Sequence, residues 1–88
     1  MTEPVPVPLP TPVTPDEVLD CRGQRCPLPV IALARRITER PVGTVVRVFA
    51  SDPAAPGDIA AWCRLRDQEF LGLAQLSDGT AVDVRRLH

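Results

Sequence analysis

Proline occupies positions 4, 6, 8, 10, 12 and 15, and this run restricts what the chain can fold into more than any other feature. Proline offers no backbone N–H and fixes φ, so the run can join neither a helix interior nor a central strand. Residues 1–15 are therefore expected to be a polyproline-like or disordered tail. A proline-motif ligand for a partner domain is a second reading, and nothing else in the sequence supports it. Of the 88 residues, 16–88 remain as the folding unit. A chain of roughly 70 residues buries only about 60% of its surface, enough for one layer of helices on one sheet and too little for two domains.

Within that unit the apolar period alternates. Val18, Leu19 and Cys21, broken by Asp20 and ended by Gly23, predict a short first strand. From Pro27 to Glu39 the period becomes helical, with Val30, Leu33, Ala34 and Ile37 at i, i+3, i+4 and i+7. Pro27 and Pro29 fall in the first turn, where a missing N–H costs nothing. Arg35, Arg36 and Arg40 fall in the later turns, where cations suit the helix dipole. Pro41-Val42-Gly43 is the stop. Thr44 to Ala50 reads as a second strand, closed by Ser51-Asp52-Pro53. Pro56-Gly57-Asp58 opens a second helix with Ile59, Trp62, Cys63 and Arg66 on one face and Asp58 placed to cap or complement its N-terminus. Gln68–Leu76 and Thr80–Leu87 read as strands joined by a hairpin at Ser77-Asp78-Gly79. The predicted fold is an α/β (α+β) two-layer sandwich of order β-α-β-α-β-β, with two helices on one face of a four-stranded mixed sheet.

Charge and cysteine usage exclude several functions. The net charge is −1 and every basic side chain except His88 is arginine, so bulk electrostatics favours neither nucleic acid nor a membrane surface. Three cysteines, an odd number, argue against a closed disulfide framework. Met1-Thr2-Glu3 offers no basic signal region, and the longest apolar run, Pro27 to Ala34, is far short of a bilayer span. A soluble, cytoplasmic monomer with reduced thiols is expected. Three dispersed cysteines and His88 have no zinc spacing, so no metal and no cofactor is expected. His88, the last residue, reads as a solvated terminus and not as a general base.

The segment Cys26-Pro27-Leu28-Pro29 carries the chemistry. A cysteine just before a proline-opened helix takes the N-cap, where unpartnered N–H groups and the dipole favour negative charge. That placement lowers a thiol's pKa and stabilises a thiolate or persulfide anion. Arg22 and Arg25 add to the field, Gly23 allows the turn, and Pro27 and Pro29 stiffen it. On spacing alone, an ordinary buried cysteine is an equally good reading of Cys26.

Leu19-Asp20-Cys21-Arg22-Gly23-Gln24-Arg25-Cys26-Pro27-Leu28-Pro29 resembles the signature of the TusA/SirA-like sulfur-carrier family, in which Cys-Pro-x-Pro opens a helix. Ser51-Asp52-Pro53, Asp58-Ile59 and Trp62-Cys63 resemble the family's second block, so the likeness runs from Val18 to the C-terminus. It implies a sandwich like the C-terminal domain of translation initiation factor three. It also implies a persulfide-carrying Cys26, a cysteine desulfurase or rhodanese-like protein as sulfur donor, and a downstream acceptor protein. Leu28 stands where tRNA-thiolating members often have Glu, and Gln24 stands where an apolar residue is common. Both departures bear on partner choice, so tRNA thiolation, cofactor biosynthesis and other sulfur metabolism all stay open.

The remaining candidates have ordinary readings beside functional ones. Cys21 is either a resolving thiol or a strand-end core residue, and Cys63 matches the family's second cysteine but lies on the apolar stripe. Turn and cap roles account for Asp52 and Asp58. A carboxylate at Asp58 would nevertheless oppose a Cys26 thiolate if it approached closely. The expected function is sulfur relay through Cys26; the alternative is a redox-sensing or regulatory module that uses Cys26 without sulfur transfer.

Overall fold

The computed structural model describes residues 11–88, so positions 1–10 of the proline run lie outside the described residues. Six elements follow in the order β1 (Glu17–Cys21), α1 (Leu28–Thr38), β2 (Val45–Ala50), α2 (Ala55–Arg66), β3 (Glu69–Leu76) and β4 (Gly79–Arg85). The sheet order is β1-β2-β4-β3. β1 and β2 run parallel, joined through α1, and the other two pairings are antiparallel. The architecture is the α+β sandwich expected, with two helices on a four-stranded mixed sheet.

The core explains the pairing. Val46 pairs with Val84 and Val48 with Val82, and these valines pack with Leu33 and Ile37 of α1 and Ile59 and Cys63 of α2. Each such side chain contributes about 1.5–3 kcal/mol on burial. Pro29 is buried with Leu33 and Ile37, one turn apart along α1, while Val30 and Ala34 are only half-buried. On α2 the buried set is Ala55, Ile59 and Cys63. Arg66, expected on that face, is exposed, because the helix ends there and Asp67 turns left-handed at φ 56.

The hairpin uses only Ser77 and Asp78 as its turn, so Gly79 already belongs to β4. A Cβ at Gly79 (φ 148) would lie 2.1 Å from the Ala50 carbonyl oxygen, which makes glycine obligatory there. Strand pairing thus brings the β3–β4 turn against the end of β2.

Side chains alternate across a strand, so Arg47 and Asp83, paired in register between Val46–Val84 and Val48–Val82, face away from the helices. Arg47 Nε and Nη2 donate to the two Asp83 carboxylate oxygens at 2.7 and 2.8 Å. The Thr11 hydroxyl donates to Asp83 Oδ2 at 2.8 Å, and Arg47 Nη2 also donates to the Val13 carbonyl at 3.4 Å. The last residues of the proline-rich segment therefore cover the pair. Among the described residues, no buried side-chain nitrogen or oxygen lacks a hydrogen bond.

Candidate functional site

β1 and β2 are parallel neighbours, so the loops leaving their C-terminal ends lie side by side, and Cys26 is on the first of them. Gly23, at φ 84, turns the first loop, and its N–H donates to Ser51 Oγ at 2.8 Å. Asp52 then joins both loops: Oδ2 accepts the Cys26 N–H and Oδ1 accepts the Ala54 N–H, each at 2.9 Å. These two amides, the Cys26 one first, hold the Asp52 carboxyl below its ordinary range, with Arg25 assisting. The turn role read for Asp52 is present in its bond to Ala54; its grip on Cys26 needed the tertiary structure.

Cys26 is exposed, whereas Cys21 and Cys63 are buried. Burial pushes the Cys21 thiol up and the Cys63 thiol up to about 11, so both behave as core residues. The Cys26–Pro27 peptide bond is cis, and Pro27 is the N-cap of α1. Cys26 is one position outside the cap expected for it.

Its thiol donates to Asp58 Oδ2. Asp58 reaches it from the first turn of α2, half-buried. This contact is the first cause of a Cys26 pKa raised above the ordinary value, followed by desolvation and by the negative charges of Asp58 and Asp52. The expected lowering is therefore reversed. The α1 terminus is a weak anion site because positions 27 and 29 carry no N–H, and the Leu28 N–H is already donated to the Arg25 carbonyl at 2.8 Å.

The arginines do not compensate. Arg22 is paired with Asp20 at 2.8 Å and Asp78 at 3.3 Å, and its guanidinium sits 5.6 Å from the Phe49 ring centre. Phe49 pairs with Ala81, beside the Arg47–Asp83 pair, so Arg22 belongs to the sheet face away from the helices. Neither Arg22 nor Arg25 is among the groups that shift Cys26; Arg25 acts on Asp52. Two contributions of residues already named, and the exposure of Ile31, needed the structure. Ser51 anchors the loop, with no local signal for it. Leu28 and Ile31 are exposed at 51% and 45% just after Cys26, and Ile31 was legible as the apolar residue lying off the Leu33–Ile37 stripe.

Among the described residues, no three His, Cys, Asp or Glu side chains cluster as a metal site requires, and no helix is long and apolar enough to cross a membrane.

Comparison with known proteins bears on the same region. The profile of the family described as Sulfurtransferase TusA matches residues 17–85. YrkF of Bacillus subtilis, provisionally named a sulfur carrier protein, is 33% identical over 55 residues, covering 62% of this chain and 30% of YrkF. A provisionally named sulfur carrier protein of Neisseria meningitidis serogroup A is 42% identical over 48 residues, covering 54% of this chain and 65% of that protein. The chain thus spans less than two thirds of these relatives. A crystal structure of a SirA-like protein from Desulfitobacterium hafniense superposes with a TM-score of 0.68 at 20% identity, covering 78% of this chain and 93% of that one, a likeness of fold.

Proposed function

The chain belongs to the TusA sulfurtransferase family, and on that premise we propose that it is a sulfur carrier whose Cys26 accepts a persulfide sulfur and passes it on. The observation that carries this reading is the contrast among three cysteines. Only Cys26 is exposed, and its backbone is tied by Asp52 to the neighbouring loop. A carrier needs an accessible nucleophile on a rigid support and surfaces on which donor and acceptor dock.

In loading, Cys26 Sγ attacks the terminal sulfur of a donor persulfide. The Sγ–S bond forms, the donor's S–S bond breaks, and the electron pair leaves on the donor cysteine. Unloading repeats the step with an acceptor thiol as nucleophile and Cys26 as leaving group. A cysteine desulfurase or a rhodanese-like protein is a donor of suitable chemistry, and the acceptor is a downstream protein thiol. A redox-sensing module that uses Cys26 without sulfur transfer is the alternative; the family match and the relatives named as sulfur carriers favour the carrier.

Incubation with a cysteine desulfurase and cysteine, read by intact mass, tests the proposal. An adduct of about 32 Da is expected on the wild type and not on Cys26→Ser, and it should pass to an added acceptor thiol. No adduct on the wild type, or the same adduct on the variant, rejects it.

A further inference from the structure

Asp58 is the unusual group at this site. Of the carboxylates that are not exposed among the described residues, Glu17, Glu69 and Asp83 each have an arginine and Asp52 has two backbone amides, while Asp58 has neither. It is half-buried, and its side chain's one hydrogen bond is to the Cys26 thiol. Asp58 lies in the first turn of α2, where a carboxylate suits the helix dipole, but the helix has no side-chain cap, so this role occupies neither of its oxygens.

The other charged groups around the thiol are accounted for. Asp52 is held by two amides and faces Arg25. Arg22 is turned to the opposite face of the sheet. The carboxylate of Asp58 is the charge at the thiol left for a partner to meet.

Building on the sulfur-carrier reading, we propose that Asp58 is a selecting residue: it holds Cys26 as a neutral thiol until a sulfur donor that carries a basic side chain beside its persulfide takes the Asp58 carboxylate. Once that cation pairs with Asp58, the thiol proton passes to solvent and the Sγ electron pair attacks the donor's terminal sulfur. Cys26–S⁻ and donor–S–SH become Cys26–S–SH and donor–S⁻, with no net change in oxidation state. Leu28 and Ile31, exposed on α1 just after Cys26, supply the apolar surface such a donor would cover. The partner surface that fits is a basic group next to an apolar patch.

The first test needs no partner protein. The full chain is treated at low ionic strength with two thiol reagents alike except in charge, a trimethylammonium-ethyl and a sulfonatoethyl methanethiosulfonate. The rate of Cys26 modification is followed by mass, with Cys26→Ser as the blank. A unit charge about 6 Å from a carboxylate in water changes a rate about threefold, so the cationic reagent should react on the order of tenfold faster than the anionic one. Salt should shrink that ratio. Asp58→Asn should bring it down to the ratio shown by free cysteine, whose thiolate itself favours the cation, and raise modification by neutral iodoacetamide at neutral pH, and Asp58→Glu should keep the excess. A wild-type ratio no greater than that of free cysteine, a faster anionic reagent, or a ratio unchanged in Asp58→Asn overturns the proposal.

The second test is loading by a desulfurase. Asp58→Asn should load several-fold more slowly although its free thiol is more reactive, opposite directions that a purely structural role would not produce. Equal or faster loading of the variant overturns the partner half of the proposal. If the wild type itself takes no sulfur, the carrier reading fails, and the reagent ratio still decides what Asp58 does to Cys26.

Discussion

Asp83 and Asp58 are the same side chain under opposite treatment. Asp83 is fully buried on a central strand, and both its oxygens are met, by Arg47 and by Thr11. Asp58 is half-buried on the first turn of α2, and its hydrogen-bond partner is a reactive thiol. A charge inside a fold is tolerable only when its lone pairs are satisfied, so Asp83 belongs to stability. A charge at a rim with no countercharge costs the fold little and stays available, so Asp58 belongs to reactivity. One substitution, aspartate to asparagine, should therefore give two unrelated phenotypes.

The largest effect should come from breaking the buried side. Asp83→Asn leaves Arg47 as an uncompensated buried cation and should cost about 3–5 kcal/mol, read as a lowered urea midpoint. For a domain whose whole stability is on the order of 5–15 kcal/mol, that is a large share. Replacing both partners, Arg47→Met with Asp83→Leu, should recover most of the loss, because no charge is stranded. If the double variant is as unstable as the single one, the pair does more than satisfy itself.

A smaller effect should come from the cover over that pair. Thr11→Val removes one hydrogen bond to a charged acceptor and keeps the side chain's shape, so a loss of about 1.5–3 kcal/mol is expected in the same denaturation. In an Asp83→Leu, Arg47→Met background the substitution should cost almost nothing. Non-additivity of this kind would show that residues 11–13 act through Asp83 and not through general packing.

How much of this was legible depended on the range of the contact. The β-branched run of β2, the stripe through Leu33 and Ile37, and Cys26 before a proline-opened helix are local patterns, and each led to the right element. The Cys26–Asp58 contact joins residues 32 apart on different elements, so the sequence offered it only as a condition: if the carboxylate approached, it would oppose the thiolate. The direction of the Cys26 shift was missed because the Asp58 contact that is its first cause depends on how α2 packs beside the Cys26 loop. Arg22 was misplaced by proximity in sequence: Gly23's turn separates it from Cys26 and leaves it beside Asp20 and Asp78. Arg47, a charge inside TVVRVFA, was visible, but its meaning required the register that sets it opposite Asp83. Composition also hid the part that Thr11 and Val13 play, since a proline-rich stretch carries no periodic signal.

Between the extremes stands a carboxylate that is paired but near the surface. Glu17 on β1 meets Arg36 and Arg40, and this holds its carboxyl at about 2, the hydrogen bond from Arg40 being the largest cause. A depressed acid stabilises the fold above its unfolded pKa, near 4.5, and loses that contribution as pH falls toward about 2. Thermal melts across that window should show wild type losing more stability on acidification than Glu17→Gln. Parallel curves would mean that the arginines are equally well placed without the carboxylate. The effect should be modest, because surface pairs are screened by water and salt.

The smallest change in stability, and the most informative, should be that of Asp58→Asn. Asparagine keeps the shape and leaves no buried charge behind, so the loss should not exceed about 0.3–1 kcal/mol, the contribution of a carboxylate at a helix N-terminus, while the alkylation profile of Cys26 moves. The sign follows from the contact. A carboxylate beside the thiol favours its protonated form, so the wild-type rate should reach half its plateau above the pH of an ordinary thiol. Removing the charge should shift the half-rate pH down. Asp52→Asn is the sharper control, since Asp52 acts on Sγ only by charge and holds the Cys26 amide. It should shift the profile less than Asp58→Asn while loosening the loop, seen as faster amide exchange at Cys26 and Ala54. A larger pH shift from Asp52 than from Asp58 would move the control of the thiol from the helix to the loop, and Asp58 would then be no different in kind from the paired aspartates elsewhere in the fold.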